Sequence, residues 1–175
     1  MIEIEIKARA DHQQIKKRLE DLHASPIRVE DHIDTYYNAP HRDFGVTDEA
    51  LRIRSVNGGS VLTYKGKKLD SVSKTREEFE TPVDGAATRS VLIALGFVES
   101  GVVRKTREIL EMNDMTICLD SIKGLGDFVE VEILSEGDIE IGRDQLFAFL
   151  SILGIKKEDT IRRSYLEMLM DDEGA

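Results

Sequence analysis

The chain has 175 residues, of which 41% are apolar and 33% charged, and it carries a formal net charge of -10. That length holds one domain with a sizeable core, and the acidic balance argues against a nucleic-acid backbone as the main partner, which needs a dominant basic surface. The single cysteine, Cys118, excludes an internal disulfide and every CxxC-type zinc arrangement, and reads as a small buried filler. No apolar run approaches the roughly 20 residues that span a bilayer, and the start lacks the basic and apolar parts of a secretory signal. The expectation is a chain with no membrane or nucleic-acid partner and a cytoplasmic location.

The opening MIEIEIKARA alternates, so a pleated strand sets Glu3, Glu5 and Lys7 on one face and Ile2, Ile4 and Ile6 on the other. Residues 11 to 24 carry Ile15, Leu19 and Leu22 at helical spacing behind the N-cap Asp11, with Pro26 just past the end. Strand-like segments follow at HIDTYY, ALRIRS, SVLTYKGKK and TREEFETP, and Asn57-Gly58-Gly59 supplies a hairpin turn. Asp84 caps a second helix through Leu92 and Leu95 that stops at Gly96. VVRKTREIL, MTICLDS and GDFVEVEIL resume the strand pattern, the last after a KGLG turn. DQLFAFLSILG reads as a third helix, and IRRSYLEMLM as a closing one before an acidic tail. The expected organisation is one domain over residues 1 to 170 and a frayed, solvated tail over 171 to 175, with Asp171, Asp172 and Glu173.

The charges segregate by face in strand after strand. Arg52 and Arg54 oppose Leu51 and Ile53, Lys65 shares parity with Thr63, and Lys105 shares parity with Arg107 and Ile109. Asp120 opposes Leu119, and Glu130 and Glu132 oppose Val129, Val131 and Ile133. Amphipathic helices need apolar surface to cover, so helices on the Ile, Leu and Val faces turn the charged faces toward one another. An antiparallel sheet of about eight strands that curls shut encloses room for side chains and one small ligand. Isolated buried ions cost several kcal/mol each. Hard divalent cations take carboxylate oxygens, and guanidinium and ammonium groups take phosphate oxygens, so a metal-bound triphosphate satisfies both sets. Glu3-Ile4-Glu5, Glu78-Phe79-Glu80 and Glu130-Val131-Glu132 also form a loose repeat, each before an amphipathic helix, which hints at pseudosymmetric halves.

Glu3-Ile4-Glu5-Ile6-Lys7 resembles the ExExK signature of the CYTH superfamily, the triphosphate tunnel metalloenzymes. Its ordered followers are Asp34-Thr35-Tyr36-Tyr37, Leu51-Arg52-Ile53-Arg54, Lys65, the Arg-Glu-Glu-Phe-Glu at 76 to 80, Lys105 with Arg107, Leu119-Asp120 and the run GLGDFVEVE, and IRRSYLEML extends the likeness. The stretch DTYYNAPHRDFGVTDEALRIR is most similar to the class IV adenylyl cyclase-like branch. The resemblance implies an α+β fold, an eight-stranded antiparallel β-barrel open as a tunnel with covering α-helices, often a homodimer, that binds ATP or another triphosphate with Mg²⁺ or Mn²⁺. It implies Glu3, Glu5, Asp120, Glu130 and Glu132 as metal ligands and Lys7, Arg52, Arg54, Lys65, Lys105 and Arg107 as phosphate-binding groups, with Glu3, Glu5 and Lys7 at the chemistry. Arg76, Glu78 and Glu80 are weaker additions, and no adenine-recognising residue is apparent.

Three functions fit this set: cyclisation of ATP to cyclic AMP and pyrophosphate, hydrolysis of tripolyphosphate or thiamine triphosphate, and non-catalytic triphosphate binding. Simple anion binding gains little from five acids, which favours an enzyme. A charged interior disfavours an apolar ligand. No Walker-type GxxxxGK[ST] is present, so phosphate binding rests on side chains and KGLG reads as a turn. His12, His23, His32 and His41 lack metal-ligand spacing, and His12 and His23 read as solvated. Tyr36 and Tyr37 are adjacent, so parity lets only Tyr36, with Asp34, face the tunnel.

Overall fold

The computed structural model describes residues 2–69, 76–135 and 138–172. Among these the chain runs β1 (Ile2–Arg9), α1 (His12–Asp21), β2 (Ser25–Asn38), α2 (Phe44–Thr47), β3 (Ala50–Val56), β4 (Gly59–Lys65) and β5 (Glu78–Val83). It continues through α3 (Gly85–Ala94), β6 (Val98–Met112), β7 (Met115–Ile122), β8 (Gly126–Ser135), α4 (Ile139–Ile152) and α5 (Tyr165–Asp172), with a 3-10 turn at Lys157–Asp159.

All ladders are antiparallel, and the strands lie in the order β1-β8-β7-β6-β2-β3-β4-β5. The two ends of that order meet at a bridge between Glu3 and Arg76. The expected eight-stranded antiparallel sheet is therefore present and curled, and its seam is a bridge rather than a ladder. The order reads as two meanders, β2-β3-β4-β5 and β6-β7-β8, joined through β2 and β6, with β1 beside β8. The Glu-x-Glu repeat falls in β1, β5 and β8, and each of those strands runs into a helix.

Local chemistry explains the element boundaries. The Asp11 carboxylate accepts from Gln13 N at 2.9 Å and Gln14 N at 3.1 Å, Asp84 accepts from Ala87 N at 2.9 Å, and Asp138 accepts from Glu140 N at 2.8 Å. Each satisfies a backbone donor that the first turn of α1, α3 or α4 leaves open. Asn57 and Gly58 take φ of 51° and 79°, the left-handed pair that a tight hairpin between β3 and β4 requires.

Several boundaries differ from the sequence expectation. Strand β2 begins at Ser25 and contains Pro26, beside a register shift against β6 between Pro26 and Arg28 that accommodates the missing N–H. Strand β4 ends at Lys65, before Gly66, and α4 starts at Ile139, five residues before the DQLF run. Residues 161–164 are not helical, and α5 starts at Tyr165. Residues 171 and 172, expected to fray, close α5, while residues 173–175 of the expected tail lie outside the described residues.

The main core lies on the outer, apolar face of the sheet. Ile4, Ile6 and Ala8 of β1 with Val129, Val131 and Ile133 of β8 meet Ile15 and Leu19 of α1 and Leu146, Phe149 and Leu150 of α4. Burying each large aliphatic side chain stabilises by about 1.5–3 kcal/mol. Gly142 lets α4 approach closely, since a Cβ there would lie 2.5 Å from Ile4 Cδ1 and 3.0 Å from Ile133 Cδ1. Two smaller clusters form around Phe44, Leu51, Ile53 and Leu92, and around Val103, Phe128, Tyr165 and Met168. With helices holding the apolar face, the charged faces point inward.

Candidate active site

The curled sheet encloses a cavity of about 590 Å³ whose lining is strongly charged. One wall comes from the paired strands β1 and β8, whose register sets Glu5 opposite Glu132 and Lys7 opposite Glu130. Glu3, Glu5, Glu130 and Glu132 all line the cavity. Burial pushes the Glu3 carboxyl up to about 7, against the pull of Lys65 and with the help of Glu78, Glu5 and Glu130. Burial also lifts Glu132, to about 8, and the carboxylates of Glu3, Glu5 and Glu130 add to it against Arg107. This wall is short of positive charge.

The remaining walls carry the bases, tied into ion pairs. Asp34 of β2, 2% exposed, receives Arg54 Nε and Nη2 at 2.7 Å each and Arg52 Nη1 at 3.4 Å. Burial alone would raise the Asp34 pKa, but the bond from Arg54 and the charges of Arg52, Arg54 and Lys105 hold it well below the usual carboxylate range. Lys65 Nζ lies 2.6 Å from Glu78 Oε2, and Arg52 Nη2 lies 3.9 Å from Glu78 and 3.7 Å from Glu80. The inward Thr63, fully buried, donates to Glu80 at 2.7 Å.

Asp120 organises a second group. It accepts from Lys105 Nζ at 3.0 Å, Arg107 Nε at 2.6 Å, Arg107 Nη2 at 2.5 Å and the Tyr165 hydroxyl at 2.9 Å, and Arg107 also donates to Glu130. Burial, with Arg107 alongside, pushes Lys105 down to about 8 although Asp120 and Glu130 pull the other way.

Of the residues singled out in the sequence, Glu3, Glu5, Glu130 and Glu132 and the bases Arg52, Arg54, Lys65, Lys105 and Arg107 line the cavity, as do Arg76, Glu78 and Glu80. Lys7 and Asp120 do not line it. Both are fully buried. Lys7 Nζ donates to Arg163 O at 2.6 Å, lies 3.9 Å from the centre of the Tyr165 ring and is 4.0 Å from Glu130 Oε1. Tyr165 packs against both Lys7 and Asp120, so in this conformation they support the site from behind.

Asp34 lines the cavity with Tyr36, as parity implied. Other residues were missed. Glu30 and His32 share that parity and line it too; Glu30 becomes legible only once β2 is extended back to Ser25. Tyr36 and Tyr37 both border the cavity because the register against β6 shifts between them, which overrides the simple alternation. Tyr165 lies in IRRSYLEML, but nothing in the sequence ties it to Asp120, which it reaches from 45 residues away. His12, expected to be solvated, instead bonds Phe128 O at 2.9 Å. Cys118 is buried as expected, and burial raises its thiol to about 12.

The carboxylate wall offers only hard oxygen donors, the chemistry that suits Mg²⁺ or Mn²⁺. Among the described residues no three acidic, His or Cys side chains converge as a ready metal cage. Mg²⁺ bound through one or two carboxylates with phosphate oxygens and water does not need such a cage. The residues therefore fit a cation that arrives with its anion.

A curled antiparallel sheet with a carboxylate wall facing an arginine and lysine wall defines a class of small cavity proteins suited to a polyanion with its counter-cation. The chain belongs to the CYTH family: the CYTH domain model matches residues 1–165. The family includes adenylyl cyclase-like enzymes that use divalent metal ions. A "putative adenylate cyclase" of Methanocaldococcus jannaschii is 40% identical over 96% of this chain and 98% of its own. A solved protein of Pyrococcus horikoshii superposes with a TM-score of 0.90 at 40% identity, over 97% of this chain and 99% of that one. A Hippeastrum protein, described as an adenylyl cyclase candidate with a dominant triphosphatase activity, shares the fold with a TM-score of 0.66 at 21% identity, over 88% of each chain. No described helix is long and apolar enough to cross a membrane.

Proposed function

We propose that the protein carries out metal-dependent phosphoryl chemistry on a triphosphate held in the cavity, with ATP cyclised to cyclic AMP and pyrophosphate. The observation that carries this reading is Arg52, 9% exposed and lining the cavity, whose buried Nε has no hydrogen-bond partner. A buried donor left open costs about 1–3 kcal/mol, and beside Arg54, Lys65 and Lys105 the acceptor that fits it is a phosphate oxygen.

Arg52, Arg54, Lys65, Lys105 and Arg107 would hold the phosphates and neutralise charge growing on the leaving group. Glu3, Glu5, Glu130 and Glu132 would hold Mg²⁺ or Mn²⁺, which supplies charge neutralisation and eases ionisation of the attacking hydroxyl. Asp120 is left out of that set because its oxygens already accept four hydrogen bonds. Lys7 is sealed behind Tyr165, so Lys105, lining the cavity with a lowered pKa, is the lysine better suited to proton transfer. In cyclisation the ribose 3'-oxygen attacks the α-phosphorus and pyrophosphate leaves.

Hydrolysis of a triphosphate by water needs the same grip, and the activity described for the Hippeastrum protein favours it as the second reading. Incubation of purified protein with Mg²⁺ or Mn²⁺ and, separately, ATP, tripolyphosphate and thiamine triphosphate decides between them. Cyclic AMP with pyrophosphate supports the cyclase, orthophosphate without cyclic AMP the hydrolase, and tight binding without product a sensor.

A further inference from the structure

His32 stands on the inner face of β2, 3% exposed, and lines the cavity. Its Nε2 lies 2.8 Å from Glu30 Oε2, while its Nδ1 is buried with no partner. Glu30 Oε1 in turn accepts from Arg28 Nε at 2.8 Å and from Asn57 Nδ2 at 3.3 Å. Burial works against ionising Glu30, but the bonds from Arg28 and His32 hold its carboxyl below the usual range. An ionised carboxylate only accepts, so Nε2 carries the ring proton and Nδ1 presents a bare lone pair.

The charged groups facing His32 are Glu30 and Asp34 on β2, Arg54 on β3 and Lys105 on β6. Burial and the positive charges of Arg54 and Lys105 outweigh Glu30 and Asp34 and push the ring down to about 4. A neutral acceptor amid cationic donors does not match an ionised phosphate, whose oxygens also only accept. It matches an O–H group.

We propose that His32 is a specificity-determining residue: Nδ1 accepts a hydrogen bond from a ribose hydroxyl of the bound ligand, so the cavity prefers nucleoside triphosphates over inorganic tripolyphosphate. This deepens the triphosphate reading above and rests on it. The cavity then holds two buried orphans of opposite sense, the Arg52 Nε donor for a phosphate oxygen and the His32 Nδ1 acceptor for a hydroxyl. A site built to bond a hydroxyl rejects an analogue lacking it, because the site's own polar group is then left unpaired.

The test is calorimetric binding with Mg²⁺ present, using ligands that resist cleavage at both anhydrides: ATP with methylene groups at both the α,β and β,γ bridges, its 2'-deoxy and 3'-deoxy forms, and imidotriphosphate with both bridging oxygens replaced. Wild-type protein is expected to bind the full nucleotide about tenfold tighter than one of the deoxy forms. His32→Gln keeps a group at the Nε2 position for Glu30 but loses the Nδ1 acceptor. It is expected to erase that difference while leaving imidotriphosphate affinity unchanged. His32→Asn sets an amide oxygen near the Nδ1 position and is expected to retain most of the preference. If His32→Gln does not fold, the deoxy comparison in wild type and His32→Asn still decides. Equal losses for nucleotide and imidotriphosphate would mean that His32 acts on phosphates and would overturn the proposal, as would no preference for the hydroxylated ligand. Failure of the wild type to bind any of the four ligands would instead remove the triphosphate reading itself, and this inference with it.

Discussion

Asp34 and Arg54 form a two-point pair across β2 and β3, Oδ1 to Nε and Oδ2 to Nη2, each at 2.7 Å. The carboxylate is 2% exposed, so its negative charge is spent on fixing Arg54 and steadying Arg52 in the direction of the cavity. Removing one partner of a buried pair leaves the other uncompensated, at a cost of about 3–5 kcal/mol. Asp34→Asn is expected to lose stability of that order in chemical denaturation. Added tripolyphosphate should recover part of the loss by supplying negative charge to the freed guanidiniums. An unchanged denaturation midpoint would contradict a central role for the pair.

Glu3 and Glu132 make the metal-free protein sensitive to pH in the direction opposite to ordinary acid denaturation. Their folded pKa values, about 7 and 8, lie above the unfolded carboxylate value, so the folded state binds more protons between about pH 4.5 and 8. The stability they contribute is fully present below the unfolded value and is lost as pH rises through 7 to 8. Asp34 has the reverse sign: its contribution is present above the unfolded value and fades only in strong acid. Thermal melts without metal should therefore fall from pH 6 to pH 8.5. Binding of Mg²⁺ or Mn²⁺ should release protons, measurable as a buffer-dependent heat, and strengthen as pH rises. A melting temperature that climbs steadily over this range would refute the assignment.

Asp120 and Glu3 separate support from chemistry. Asp120→Asn weakens the hold on Lys105 and Arg107 inside the fold and is expected to cost about 3–5 kcal/mol whether or not metal is present. Glu3→Gln removes a crowded carboxylate and should leave metal-free stability equal or slightly higher at pH 8. Metal-dependent turnover should then drop at least tenfold. Equal destabilisation by both substitutions would make the carboxylate wall a structural ion network rather than a metal site.

Gly142 is a purely steric prediction. Alanine there gains up to about 1 kcal/mol of helix propensity but meets Ile4 and Ile133 where α4 rests on β1 and β8. Overpacking of this kind costs about 1–3 kcal/mol, so the sum should destabilise by about 1 kcal/mol. Because β1 carries Glu3 and Glu5 on its other face, the same substitution should also weaken metal affinity measured by titration.

The period-two separation of charge from isoleucine, leucine and valine was enough to indicate that β1 and β8 bury both faces, one under helices and one around a charged interior, whereas the apolar outer faces of β2 and β5 stay exposed at Val29 and Phe79. Capping aspartates and the Asn57-Gly58 turn were equally legible, because they act within a few residues of their own position. The family resemblance of residues 3 to 132 was likewise carried by local motifs and matches the CYTH domain found over residues 1–165. Alternation says which face a side chain takes, but not which partner stands across the barrel or what covers it. Only the tertiary structure set Tyr165 over Lys7 and Asp120, removing both from the cavity lining, and only it tied His32 to Glu30 with one ring nitrogen left open. Pairings between strands remote in the chain depend on curvature, register shifts and burial, and these arise only when every element is packed at once.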